Sequence, residues 1–140
     1  MEQSGASNSI WEDAYMLNIP SIDFQHKKFF VLWNTARKQI NVRDQGQTDK
    51  ILVELEEYIN VHFAYEENLL ELAGYEKLEN HKQLHRYFIA KIHEMRNEYQ
   101  YNNPELFEKL VVFLKKWFIS HILHEDSDYK SVVSSYLNRN

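Results

Sequence analysis

Apolar side chains recur at steps of three and four along four long stretches of this chain, the spacing that gathers them on one face of an α-helix. The first stretch carries Ile22, His26, Phe29, Trp33, Ala36 and Ile40, and the second Leu52, Leu55, Ile59, His62, Glu66, Leu69 and Ala73. The third carries Leu78, His81, His85, Phe88, Ile92, Met95 and Tyr99, and the fourth Leu110, Leu114, Trp117 and His121. Breaks fall between the stretches. Pro20-Ser21 opens a first helix over roughly Ile22 to Asn41, with Ser21 as its cap. The polar run Val42 to Gln47, which contains Gly46, reads as a turn, and Thr48 as the cap of a second helix ending near Ala73. Gly74 suits the left-handed position just past that end. After a short loop through Tyr75, a third helix runs from about Lys77 to Tyr101. Asn103-Pro104 then supplies a cap and a first-turn proline for the fourth. Beyond a break near Glu125 to Ser127, DSDYKSVVSSYLNRN reads as a short terminal helix.

With only 3 Gly and 2 Pro, the chain favours a few long helices over many short strands. Four helices with short connections most simply form an all-α, antiparallel up-down-up-down four-helix bundle. The expected layout is one domain over residues 1–140: an N-terminal arm (1–20), the bundle (21–126) and the short C-terminal helix (127–140). A length of 140 residues is enough to bury a core without disulfides, and with no cysteine the chain has none and offers no thiolate ligand. The net charge of −5, with acids and bases interspersed, supplies neither a basic stripe for nucleic acid nor a cationic face for a membrane, so neither partner is expected. Nothing near the start resembles a basic-then-apolar leader and no run approaches a membrane span, so the expected location is the cytoplasm.

Within these stripes the exceptions carry the chemistry. His26, His62, Glu66, His81, His85 and His121 are polar residues at inward positions, and an unmatched buried charge is expensive unless it is paired or binds a metal. A histidine pair four apart is weak evidence alone, and a lone core histidine is more often hydrogen-bonded filler. Imidazoles on the inner face of every helix, with acids at His-x-x-x-Glu and His-x-x-x-x-Asp, point to a metal site. Asp126 is the demanding member. Five residues after His121, it lies about 140° away on an ideal α-helix, so it joins the site only if the helix ends, loosens or carries a π-bulge there. Glu67 and Glu125 read as solvated, and His93 and His124 as residues at the surface or just behind the ligands. Imidazole suits zinc as well as iron, so the ligand types leave the metal open.

The motifs Ile22-Asp23-Phe24-Gln25-His26, His62-Phe63-Ala64-Tyr65-Glu66-Glu67, His81-Lys82-Gln83-Leu84-His85 and His121-Ile122-Leu123-His124-Glu125-Asp126 resemble those of the hemerythrin family, in order and separation, over roughly Trp11 to the C-terminus. The resemblance implies reversible O2 binding at a non-haem centre of two iron ions with a bridging oxo or hydroxo group. It places His81, His85 and His121 on one iron, His26 and His62 on the other, and Glu66 and Asp126 across both. Two octahedral irons ligated in this way keep a single open position, on the His26/His62 iron, for O2. Phe63, Trp117, Phe118 and Ile122, beside the ligands in sequence, are the candidates for the walls of an O2 pocket, and the resemblance places several of them there, although an aromatic at helical spacing is ordinarily just core. Phe118 stands where the family often carries leucine, Leu70 where many bacterial relatives have methionine, and Glu76 where a proline often follows Gly-Tyr.

The implied role is O2 storage, delivery or sensing by a binding protein that is not an enzyme. A di-iron oxidase, a peroxidase or a nitric oxide scavenger would use the same ligands. A sensor would act through an unidentified protein partner.

Overall fold

A computed structural model describes residues 15–42, 44–99 and 104–139. Among these residues the elements are α1 (Pro20–Gln39), α2 (Gln45–Ala73), α3 (Leu78–Tyr99), α4 (Pro104–Ser120), a π-helical segment (His121–Asp126) and α5 (Lys130–Arg139). In space α1 packs on α2, α2 on α3, α3 on α4 and α4 back on α1, while α5 lies against α2. Sequence neighbours are thus spatial neighbours around a closed ring, the up-down-up-down arrangement expected of helices joined by short connections.

The helix ends follow local chemistry, and two caps differ from expectation. Ser21 is not the cap of α1. Extended Ile19 holds that position without a side-chain bond, and Pro20, with φ already near the helical value, starts the helix. The Ser21 hydroxyl instead accepts a hydrogen bond from Tyr65 on α2 at 2.8 Å. Thr48 does not cap α2 either. Asp44 does, its carboxylate accepting the Gln47 N–H at 3.1 Å, so Gly46 belongs to the first helical turn and Thr48 is buried inside the helix. A carboxylate is the stronger acceptor beside four unpaired N–H groups, which also favour its charge. Gly74 ends α2 at φ 74°, where its N–H reaches back to Glu71 and Leu70. Asn103, the expected cap of α4, lies outside the described residues.

The core has two layers. One gathers Phe29, Trp33, Leu55, Phe88, Leu110 and Leu114, and the other Leu17, Ile19, Ile22, Leu70, Tyr129 and Val133 beneath α5. Trp33 Nε1 donates to the Val111 carbonyl at 2.8 Å, tying α1 to α4. Arg96 on α3 bonds Glu56 on α2 at 2.6 Å. Phe88, Leu110 and Leu114, each exposed by 1% or less, contribute about 2 kcal/mol apiece through removal from water. The inward polar residues fall between the layers: His26 between Ile22 and Phe29, Glu66 between Phe63 and Leu69, and Asp126 between Ile122 and Tyr129. A polar sheet one residue deep is therefore sealed above and below by apolar side chains.

Candidate metal centre

Seven residues from three helices and the π segment meet in that sheet. His26 comes from α1, His62 and Glu66 from α2, His81 and His85 from α3, and His121 and Asp126 from the π segment. His81 is 3% exposed and none of the others exceeds 1%. Glu66, His81, His85 and His121 form one group whose ligand atoms lie within 4.8 Å of one another, and His26, His62 and Glu66 form a second. Glu66 belongs to both. Asp126 spans them as well, with Oδ2 at 3.2 Å from His26 Nε2 and Oδ1 at 3.1 Å from His81 Nε2 and 3.0 Å from His121 Nε2.

The π segment is what brings Asp126 in. Its i→i+5 hydrogen bonds widen the turn, as in the bond from the Ser127 N–H to the Ile122 carbonyl, so residues five apart come onto nearly one face. The five-residue step from His121 required such a loosening. The structure supplies it at His121–Asp126, and the chain then passes a turn at Tyr129 into α5. The break expected near Glu125 to Ser127 is accordingly this wider helical turn followed by a kink at Tyr129.

The donor set fits a cation. His85 Nδ1 lies 2.7 Å from Glu67 Oε2 and His62 Nδ1 lies 2.5 Å from Gln25 Oε1, acceptors that keep a proton on Nδ1 and turn Nε2 inward. His121 Nδ1 faces Glu125 Oε1 at 3.3 Å, a charge contact that favours the same tautomer. Nε2 of His85 and Nε2 of His121 lie 3.1 Å apart, the first 3.0 Å from Glu66 Oε1 and the second 3.0 Å from Asp126 Oδ1. Both Asp126 oxygens and His62 Nε2 are buried without a directed hydrogen bond despite their close neighbours. Buried carboxylates and imidazole nitrogens converging in this way require positive charge among them, from protons or from a metal ion.

Electrostatics makes the same demand. Burial alone would raise Glu66 and Asp126, and for Glu66 the Asp126 charge adds to this. Hydrogen bonds from His81 and His85 nonetheless hold Glu66 below its usual range, and His121, His26 and His81 hold Asp126 well below its own. The charge is returned to the imidazoles. Burial pulls His81 and His121 down, but Asp126 and Glu66 outweigh it and raise them to about 9 and about 10. His62, where burial dominates over Glu66, is lowered to about 3 and stays neutral. Protons thus balance the two carboxylates of the metal-free protein, at the position where metal ions would do so. At the edge of the centre, the Tyr75 hydroxyl is raised by burial and then by the Asp128, Asp126 and Glu125 carboxylates, so that edge is negative.

The residues around the seven are where sequence reasoning fell short. Glu67 and Glu125 are not simply solvated, since each holds an inward imidazole by Nδ1, and only their outer portions meet water. Gln25 does the same for His62, while its carbonyl accepts the hydroxyl of Tyr58, whose ring lies parallel to His62 at 5.8 Å. Tyr129 donates to Glu66 Oε2 at 2.6 Å. Spacing offered a signal for some of these: Glu125 follows His121 by four, and Tyr58 precedes His62 by four. Tyr129 offered none, because its contact spans 63 residues. His93 and His124 are exposed, as expected.

Of the expected pocket residues, Phe118 stands edge-on to His26 at 5.6 Å and 6.0 Å from His62, stacked on Phe29 at 3.8 Å. Phe63 lies 5.8 Å from His62 and is also stacked on His85 at 3.6 Å, while Trp117 is stacked on His121 at 4.5 Å. Ile122 is buried in the same apolar layer as Phe29, Phe63 and Phe118. Phe29, read as plain core, backs the Phe118 ring that stands against His26.

Residues 17–133 match the model of the hemerythrin HHE cation-binding domain. The bacteriohemerythrin of Clostridium acetobutylicum is 33% identical over 125 residues, covering 86% of this chain and 97% of that protein. The myohemerythrin of Riftia pachyptila is 25% identical over 122 residues, covering 86% of this chain and 90% of that one. A crystal structure of hemerythrin with a leucine-to-tyrosine substitution shares the fold, with a TM-score of 0.79 at 23% identity over 89% of this chain and 96% of that chain. The imidazole-rich polar sheet, the bundle around it and these likenesses together place the chain in the hemerythrin family.

Proposed function

We propose that this chain binds O2 reversibly at a pair of iron ions, for storage, delivery or sensing of the gas, with His81, His85 and His121 on one iron, His26 and His62 on the other, and Glu66 and Asp126 across both. The observation that carries the reading is the sharing of Glu66 and Asp126 between two histidine groups inside one buried sheet. Two ferrous ions held there would supply the electrons that retain O2 and take them back on its release.

The protein's own part is to hold and to seal. Gln25, Glu67 and Glu125 orient His62, His85 and His121 by Nδ1, and such partners raise ligand basicity and fix the ring plane. Tyr129 fixes the rotation of Glu66 from below. On the His26/His62 side the stacked Phe29 and Phe118 form an apolar wall that keeps water and external reductants from a bound gas. Among the described residues no helix is long and apolar enough to cross a membrane.

The test is metal analysis with reversible oxygenation. About two irons per chain are expected, and the colourless anaerobic protein should colour in air and bleach when O2 is withdrawn. Colour that forms once and returns only after added reductant would overturn the carrier reading in favour of an oxidase. His62→Ala and His121→Ala should each lose iron, and retention of the full complement in either variant would refute the ligand assignment.

A further inference from the structure

Among the described residues, the seal of the buried centre is interrupted beside His81. Tyr75, Lys77, Asn80, His81, Glu125 and Asp128 line a cleft of about 180 Å³, room for several waters. It lies between the loop after α2, the start of α3 and the end of the π segment. Its inner wall includes His81, the most exposed of the seven inward residues. Three of the other imidazoles have Nδ1 held by a side-chain oxygen, whereas His81 borders this opening. A second groove runs between α1 and α2, lined by Lys28, Leu32, Glu54, Glu57, Tyr58 and Val61, but none of the seven inward residues lines it. There the buried Tyr58 ring, parallel to His62, closes the way in.

We propose that the cleft beside His81 is the passage through which metal ions reach and leave the centre, on a different side from the apolar wall of Phe29 and Phe118. The inference rests on the di-iron reading above. The carboxylates of Glu125 and Asp128 outnumber the single ammonium of Lys77 at the mouth, which favours the approach of a hydrated divalent cation. Lys77 and Asp128 lie 3.8 Å apart with side chains 64% and 57% exposed, so their pairing is loose and leaves Asp128 open to the ion. At the inner end His81 is the first imidazole an incoming ion meets, and its Nε2 already lies 2.9 Å from Glu66 and 3.1 Å from Asp126, so an ion taken from the cleft passes directly to the shared carboxylates.

The test loads metal-free full-length protein with ferrous ion alone under anaerobic conditions, quenching at intervals with a ferrous chelator and counting retained iron. Loaded protein is separately challenged with the chelator to follow release. Lys77→Glu should speed uptake and Asp128→Lys slow it, each by about threefold at low salt and less at high salt. Asn80→Trp, which narrows the opening, should slow uptake and release alike. The final iron content should be that of the parent protein in all three. Glu57→Lys, in the groove behind Tyr58, should change nothing. Rates unchanged by the three cleft substitutions, or slowed by Glu57→Lys, would overturn the passage while leaving the di-iron reading intact. Failure of the parent protein to retain iron would overturn both.

Discussion

Replacing Tyr129 with phenylalanine removes one oxygen from the floor of the centre and leaves the ring in place. The hydroxyl donates to Glu66 Oε2 at 2.6 Å, and both residues are fully buried. A hydrogen bond to a charged acceptor contributes about 1.5–3 kcal/mol, and without it Glu66 keeps its burial cost on one oxygen. For 140 residues the unfolding entropy near the midpoint is about 0.3 kcal/mol per kelvin, so a loss of about 2 kcal/mol lowers the melting temperature by about 7 °C. The assay is thermal and urea unfolding of the metal-free protein, followed by iron affinity, which should fall by about tenfold or more because a ligand's orienting partner is gone. Tyr75→Phe is the control. Its ring meets Tyr129 edge-on at 6.1 Å, but its half-buried side chain makes no hydrogen bond to Glu66, which is held by Tyr129, so a change below about 0.5 kcal/mol is expected. A Tyr129→Phe protein as stable as its parent, with unchanged iron affinity, would refute the positioning role.

The metal-free protein should lose stability as pH rises from 6.5 to about 9 or 10. His81 and His121 have folded pKa values near 9 and 10, above the unfolded 6.5, so their contribution is complete below pH 6.5 and vanishes as each deprotonates in the fold. The slope is at most about 1.4 kcal/mol per pH unit for each group. Below pH 6.5 His62 reverses the trend, since its folded value near 3 lets the unfolded chain take up the proton first. Urea unfolding across this range should therefore show a maximum near pH 6.5, and metal-loaded protein should show no alkaline decline over the same span. Stability of the metal-free protein that rises from pH 6.5 to 9 would contradict the assigned charges. Gly74→Ala should cost about 1 kcal/mol in a melt of either form: at φ 74° an added Cβ meets no atom within 4 Å, so the penalty is backbone strain alone. A neutral result would show that the loop relaxes.

Much of this protein is local and was therefore legible in its sequence. Apolar steps of three and four determine which face of each helix turns inward, and scarce glycine and proline determine that the helices are long. Gly74 announces its left-handed turn because few other residues tolerate one. His26, His62, Glu66, His81, His85 and His121 stood out for a related reason, as polar residues on faces that are otherwise apolar. Even the condition on Asp126 was legible, since five residues do not fit an α-helical turn. Tertiary structure decided how the condition was met: a π segment persists only because packing and the converging polar groups outweigh its poorer local geometry. It also decided which acids serve the centre. Glu67 and Glu125 share the composition of any solvated face, and only the approach of α3 to α2, and the bend of the π segment, puts them on imidazoles. The roles of Tyr58, Phe29 and Tyr129 were settled in the same way, because each depends on contacts between elements distant in the chain. Periodicity tells which side of a helix faces in. What that side meets there depends on the rotation and depth of its neighbours, which are set jointly by the whole core.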